Sequence, residues 1–256
     1  MSANAIDWAI LLPALIAGLL VLATHVPLGA QVLERGIVFI DLAIAQIAGI
    51  GVIAADAMGF EPQGWAVQVS ALSAALLGAL ALTWTERRWP EIQEALIGVS
   101  FVLASCVGLL LLAGNPHGGE HLKDLLVGQI LWVNTTQLLW LSAVSAVLVV
   151  AMWLGWVRKL GRFGFYAVFA LAVTASVQLV GVYLVFSSLI IPALATRARQ
   201  GPRRYGIAYA IGIAGYACGL ALSALFDLPS GAVIVWTLAA CAAIGAFLTR
   251  AKGRHN

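Results

Sequence analysis

The chain is a succession of long apolar stretches separated by short polar connections. The stretches cover residues 8–28, 36–58, 65–84, 95–113, 138–157, 163–195, 205–226 and 228–248. A backbone in lipid must satisfy its own hydrogen bonds, which leaves helices or closed barrels. Barrel strands are short and alternate apolar with polar positions. These runs are continuous, and a helix needs about 20 residues to cross a hydrocarbon core of about 30 Å. The pattern predicts an all-α, polytopic helical bundle.

The run 163–195 is too long for one crossing, since at 1.5 Å per residue it would extend about 50 Å. Gly181 lies near its middle and Pro192 near its end. The pattern therefore predicts two short crossings with a tight turn over 180–183. The segment 124–133 (DLLVGQILWV) is too short to span and reads as a short helix at, or dipping into, the outer face.

Charge placement tests this division. Lys and Arg favour the cytoplasmic side of a membrane. The basic clusters are Arg35; Arg87 and Arg88; Arg158, Lys159 and Arg162; Arg197, Arg199, Arg203 and Arg204; and Arg250, Lys252 and Arg254. Clusters at both ends of 163–195 require an even number of crossings between them. The other connections, near Glu61, over 116–124 and near Asp227, carry acid and only Lys123. One topology places every base but Lys123 inside. It has an outside N-terminus, an inside C-terminus and about nine crossings, or eight if the first run is peripheral.

Composition agrees. Hydrophobic residues make up 62% of the 256 and charged residues 10%, against about 25% charged in soluble domains. The first basic residue is Arg35, so the start lacks the n-region of a signal peptide and the first run reads as a retained helix. Cys106, Cys218 and Cys241 all fall in apolar runs and read as packing residues. A net charge of +3 points to no nucleic acid. The chain carries no G-x-x-x-x-G-K-[ST] phosphate loop, so it is not expected to be an enzyme, and energised transport needs a separate ATPase chain.

Ionisable groups inside a membrane are functional candidates by default. Residues 39–51 read FIDLAIAQIAGIG, with Asp41 near the cytoplasmic end and Gln46 deeper. Five positions apart, they point about 140° away from each other on a helix. Ala45 and Gly49 form a small-residue pair suited to close packing. Asp41 has two readings: a position on a transport path, or a partner for a base such as Arg35. His25 ends the first apolar helix just before Pro27. It is either an interfacial histidine or half of a His–carboxylate pair for metal or protons. The outer loop gathers His117, Glu120, His121 and Asp124. They read as external metal capture or as a polar cap on the short helix. On the inner side, Ala193 to Gln200 form a possible helical turn between Pro192 and Gly201-Pro202, which a cytoplasmic partner could grip.

These residues resemble the membrane permeases of ABC-type zinc/manganese importers over nearly the whole chain. Residues 180–196 (VGVYLVFSSLIIPALAT) are similar to the family's VG-x-LLV-x-ALL-x-x-PA-x-x-A signature. Residues 227–235 (DLPSGAVIV) resemble its D-x-PSG-x-x-IV stretch, and 94–101 and 124–131 fit weaker motifs. The resemblance implies a single transmembrane permease domain over 1–256, of the metal/vitamin B12 importer type. It implies a second permease copy, a cytoplasmic ABC ATPase and an extracytoplasmic metal-binding protein as partners, in a cell (inner) membrane. It places ATPase coupling at Pro192, Ala193, Leu194, Ala195, Thr196, Arg197 and Arg199. No tightly bound cofactor is expected, and a divalent metal (zinc or manganese, or iron) is the expected cargo.

Two departures stand out. The family's second helix carries G-D-A-x-x-H-A, but here Asp41 falls at the Gly, Leu42 at the Asp and Gln46 at the His. The 158–164 segment is basic and short where the family often has an acidic helix. They keep a second function open, a permease of the same architecture for a metal chelate or other small solute. An ATP-independent channel or carrier is the third.

Overall fold

The computed structural model describes residues 8–61, 64–112 and 126–252. Among the described residues, ten α-helices are given bounds, in order: α1 Trp8–Arg35, α2 Ile40–Ala57, α3 Trp65–Arg88, α4 Gln93–Leu112, α5 Thr135–Trp153, α6 Trp156–Lys159, α7 Gly161–Val180, α8 Val182–Ala195, α9 Pro202–Phe226 and α10 Ser230–Lys252. Among the described residues, seven helices are long and apolar enough to cross a membrane, and Val182–Ala195 and Ser230–Gly245 are shorter apolar ones. Together they match the nine predicted crossings. Large apolar side chains such as Trp8, Leu110, Trp153 and Trp236 point outward, which suits a chain whose surrounding solvent is lipid.

The first helix differs from the sequence expectation. It does not stop before Pro27 but runs on to Arg35, with Pro27 inside it. Proline removes one N–H and frees the carbonyl four residues back. That carbonyl is Ala23, and the Tyr209 hydroxyl of α9 donates to it at 3.2 Å. A neighbouring helix thus replaces the missing backbone bond, and the chain has no reason to turn. His25 is consequently not interfacial. It lies in mid-helix, fully buried.

The long apolar run does divide, and it divides at one residue. Gly181 sits between α7 and α8 with φ +79°. Neighbours fix the directions of the two helices. Arg162, at the start of α7, pairs with Glu86 at the end of α3. Gly181 abuts the backbone of Gly128. Gly29, in the last third of α1, abuts Leu189 and Ala193 of α8. Because α1 also brings Arg35 to Glu86, α7 leaves this end of the bundle and α8 returns to it. At 14 residues, α8 is about 21 Å long, shorter than a hydrocarbon core. It is buried for most of its length among α1, α2, α7, α9 and α10, so lipid does not set its length.

The same end of the bundle collects the basic residues. Arg35, Arg87, Arg88, Arg162, Arg197, Arg199, Arg203 and Arg204 all lie at the ends of α1, α3, α7, α8 and α9 that meet there. Glu86 is 3.8 Å from both Arg35 and Arg162, and the Arg35 guanidinium lies 4.2 Å from the Phe165 ring centre. Beneath them, the Gln93 amide donates to Tyr166 Oη at 3.0 Å and to the Leu82 carbonyl at 3.1 Å. This set ties α1, α3, α4 and α7 together at the basic end.

At the opposite end, 126–133 is not a continuous helix. It bends at Gly128, forms a 3-10 turn at Ile130–Trp132 and buries Ile130. Asn134 and Gln137 then start α5 with a reciprocal cap.

Candidate translocation path and coupling surface

Asp41 lies in the first turn of α2, at the basic end. It is 1% exposed, and neither carboxylate oxygen has a hydrogen-bond partner. The pairing with Arg35 does not form, since Arg35 turns to Glu86 and Phe165. Burying a carboxylate without a partner is costly, so Asp41 is a position that packing alone does not explain.

His25 is held from one side only. Its Nδ1 donates to the Val21 carbonyl at 2.9 Å, with the Thr24 hydroxyl 3.0 Å away. A carbonyl can only accept, so Nδ1 carries the proton and Nε2 keeps its lone pair. Nε2 is buried and unpartnered. The His–carboxylate pair, one of the two readings of His25, is therefore not hydrogen-bonded, because His25 Nε2 and both Asp41 oxygens lack partners. Gly18, Leu22, His25 and Gly29 share one stripe of α1. Gly18 abuts Tyr216 and Gly29 abuts α8, so His25 sits on the face toward α8 and α9. There the Tyr216 hydroxyl meets Ser188 at 2.9 Å.

Gln46 lies on a different face of α2 from Asp41, as the five-residue spacing predicts. It opens onto a cavity of about 450 Å³ that Ser105, Tyr183 and Ser187 also line. It also borders a small gap between α2, α7 and α8, lined by Ala45, Gly49 and Gln178. Gln178 was not among the sequence candidates. It is a lone amide in an apolar run, the same signal that marks Gln46. Its Oε1 accepts from Gln68 Nε2 at 2.7 Å. Among the described residues, no three His, Cys, Asp or Glu side chains gather as a metal site. His117, Glu120, His121 and Asp124 lie outside the described residues.

The candidate coupling segment takes a different form from the possible helical turn at 193–200. Pro192 stays inside α8, which ends at Ala195. Thr196 is buried, and its hydroxyl donates to the Pro192 carbonyl at 2.8 Å. Residues 196–198 form a turn, and Gly201, with φ +70°, redirects the chain into α9. Of the candidate residues, Pro192, Ala193 and Thr196 face inward, while Leu194 and Arg197 face outward. Arg197, Arg199 and Arg204 line a groove of about 630 Å³ with Glu34, Gln200 and Tyr205. Arg204 is ion-paired with Glu34 across it.

The glycines of the matched motifs converge at the other end. A side chain at Gly181 or Gly128 would collide with the other's backbone, and one at Gly231 would meet the Val127 carbonyl at 2.7 Å. Gln129 N donates to the Leu179 carbonyl at 3.1 Å. Segments 126–131, 180–196 and 227–235, far apart in sequence, thus form one junction.

Comparison with known proteins agrees with this architecture. The chain is 24% identical over 269 residues, covering 97% of it and 90% of the relative, to the manganese transport system membrane protein MntC of Halalkalibacterium halodurans. It is 24% identical over 247 residues, covering 88% of it and 92% of the relative, to the high-affinity zinc uptake system membrane protein ZnuB of Haemophilus influenzae. Its fold matches a chain in the solved structure of PsaBC from Streptococcus pneumoniae in complex with Fab. The TM-score is 0.76 at 20% identity, covering 93% of this chain and 91% of that one. Matching over residues 7–161 and 157–250, this polytopic membrane chain belongs to the ABC 3 transport family.

Proposed function

We propose that the chain is the membrane-spanning permease subunit of an ATP-driven importer for a divalent metal ion, working with a second copy of itself. The observation that carries the reading is α8. It is a buried helix running from the Gly128–Gly181 junction to an exposed basic turn at the opposite end. Such an element links the outer face to a surface where a partner can dock. The relatives named above give the cargo class, manganese or zinc, and an extracytoplasmic metal-binding protein would deliver it. The basic end is cytoplasmic by the charge rule, so the C-terminus lies inside and the ATPase meets Leu194, Arg197 and Arg199. The permease supplies the path, with Gln46, Asp41 and His25 as its polar positions, and the ATPase supplies the hydrolysis.

The absence of the family's Asp/His pair at Leu42 and Gln46 favours one alternative, a metal chelate as cargo. Uptake of free manganese, zinc and iron separates the two readings.

Docking is tested on the assembled complex. Arg197→Glu and Leu194→Asp should leave the chain folded and in the membrane. They should abolish co-purification with a co-expressed partner ATPase, or its stimulation. Full stimulation by both variants would remove this turn from the coupling surface.

A further inference from the structure

The edge between α1 and α9 is fixed at two points. The Tyr209 hydroxyl reaches the Ala23 carbonyl, and Arg204 is ion-paired with Glu34. Ala23, Pro27, Gln31 and Glu34 recur every three or four positions, so they share one stripe of α1. The first three are half-buried, although the positions around them are mostly buried. Tyr209 is half-buried as well. Between the two contacts the stripe is a shallow furrow open to the hydrocarbon, and it leads into the groove of about 630 Å³ at the basic end.

That groove carries an excess of positive charge. Among the described residues, Arg197, Arg199 and Arg204 line it with one carboxylate, Glu34. Arg204 is drawn inward, with its side chain 12% exposed against 60% for Glu34. The Arg204 Nε is buried without a hydrogen-bond partner, so Glu34 leaves this guanidinium's donors partly unfilled. An ion pair with so exposed a member contributes little, and another anion can take its place at little cost. The N-terminus of α9, with Gly201 in the groove wall, adds positive potential there.

Chemistry and place together define that anion. Guanidinium groups bind phosphate oxygens through paired N–H donors. A phospholipid brings a phosphate at the depth of the helix ends and acyl chains at the depth of the furrow. A free anion, or a carboxylate of a docked protein, uses only the groove. A zwitterionic headgroup carries its own cation into a groove already rich in guanidinium, so a net negative headgroup is favoured. Basic pockets between transmembrane helices on the cytoplasmic side suit such headgroups.

We propose that groove and furrow hold one anionic phospholipid, its phosphate at Arg204 with Arg199 beside it, and an acyl chain along Pro27 and Tyr209. The choice of the inner leaflet rests on the orientation given above; the binding itself does not.

The test is native mass spectrometry of the purified full chain in detergent, titrated with dioleoylphosphatidylglycerol and, separately, with dioleoylphosphatidylcholine. The wild type should retain one phosphatidylglycerol in clear preference to phosphatidylcholine. Arg204→Gln should weaken retention about fivefold, the ratio set by one arginine near an anionic surface. Glu34→Gln removes the competing carboxylate and should tighten it; a gain of affinity cannot come from misfolding. Arg88→Gln, at the same basic end but outside the groove, should change nothing. Glycerol phosphate, the same charge without acyl chains, should not displace the lipid at equal concentration. Equal retention of the two lipids, no loss in Arg204→Gln, no gain in Glu34→Gln, or displacement by glycerol phosphate would overturn the site. If phosphatidylglycerol does not bind while Arg204→Gln weakens co-purification of the partner ATPase, the groove belongs to an acid of that partner. The lipid site then falls and the importer reading stands. A chain that binds the lipid as expected but supports no ATP-driven uptake would do the reverse.

Discussion

Proline at position 27 would ordinarily end or kink α1. Here the Tyr209 hydroxyl accounts for its tolerance by donating to the freed Ala23 carbonyl. Tyr209→Phe should cost about 0.5–1.5 kcal/mol, the net worth of one hydrogen bond, read as a lower unfolding midpoint in detergent. In a Pro27→Ala background, residue 27 regains its N–H and can bond the carbonyl itself. The same Tyr209→Phe change should then cost close to nothing; an undiminished cost would mean that Tyr209 acts elsewhere. The polar positions of this chain were partly legible in its sequence. Asp41, Gln46 and His25 stand out as polar residues in apolar runs, and their separation along a helix fixed that Asp41 and Gln46 face differently. Their partners were not legible. Arg35 is six residues from Asp41, yet it bonds Glu86, which is 51 residues away in the chain, because tertiary packing of α1 on α3 and α7 decides its direction. Glu34 and Arg204, 170 residues apart, gain their interest only when the fold brings them to one groove.

Among the elements, the α7–α8 hairpin was read from length and charge, and the break falls within the expected four residues. The reason for a break at Gly181 lies in two facts. Its backbone, at φ +79° and ψ 162°, occupies a region open essentially to glycine alone, and it packs against the backbone of Gly128. Gly181→Ala should therefore cost about 1–3 kcal/mol for the backbone conformation alone, and more from the collision with Gly128. Yield of monodisperse protein and its unfolding midpoint measure this, and a variant as stable as the wild type would show that the junction can reopen freely. The helical turn expected over 193–200 was misplaced for a related reason. Pro192 reads as a breaker in sequence, but a helix buried among its neighbours tolerates proline, since they and its own polar side chains can satisfy freed groups. The stop comes instead at Thr196, whose hydroxyl bonds back to Pro192, and at Gly201, which resets the chain for α9.

For the whole molecule, the distribution of Lys and Arg carried most of the architecture. The end of the bundle defined by Arg35, Glu86 and Arg162 also receives Arg197 and Arg204. Among the described residues, nine apolar helices alternate between it and the glycine junction. The number of crossings was legible because bilayer thickness converts directly into residues per helix. The cavities were not, because a path between helices depends on which faces meet. Together these features support the proposed reading, a permease that takes up a cation at one end and is coupled to an ATPase at its basic end. The most direct measurement is metal uptake into proteoliposomes containing this chain, its partner ATPase, and the metal-binding protein on the outer side. Radioactive manganese or zinc should accumulate only with ATP inside, and neither the chain alone nor the ATPase alone should support it. Accumulation by the chain without ATP, or none of either metal with the complete assembly, would contradict the account.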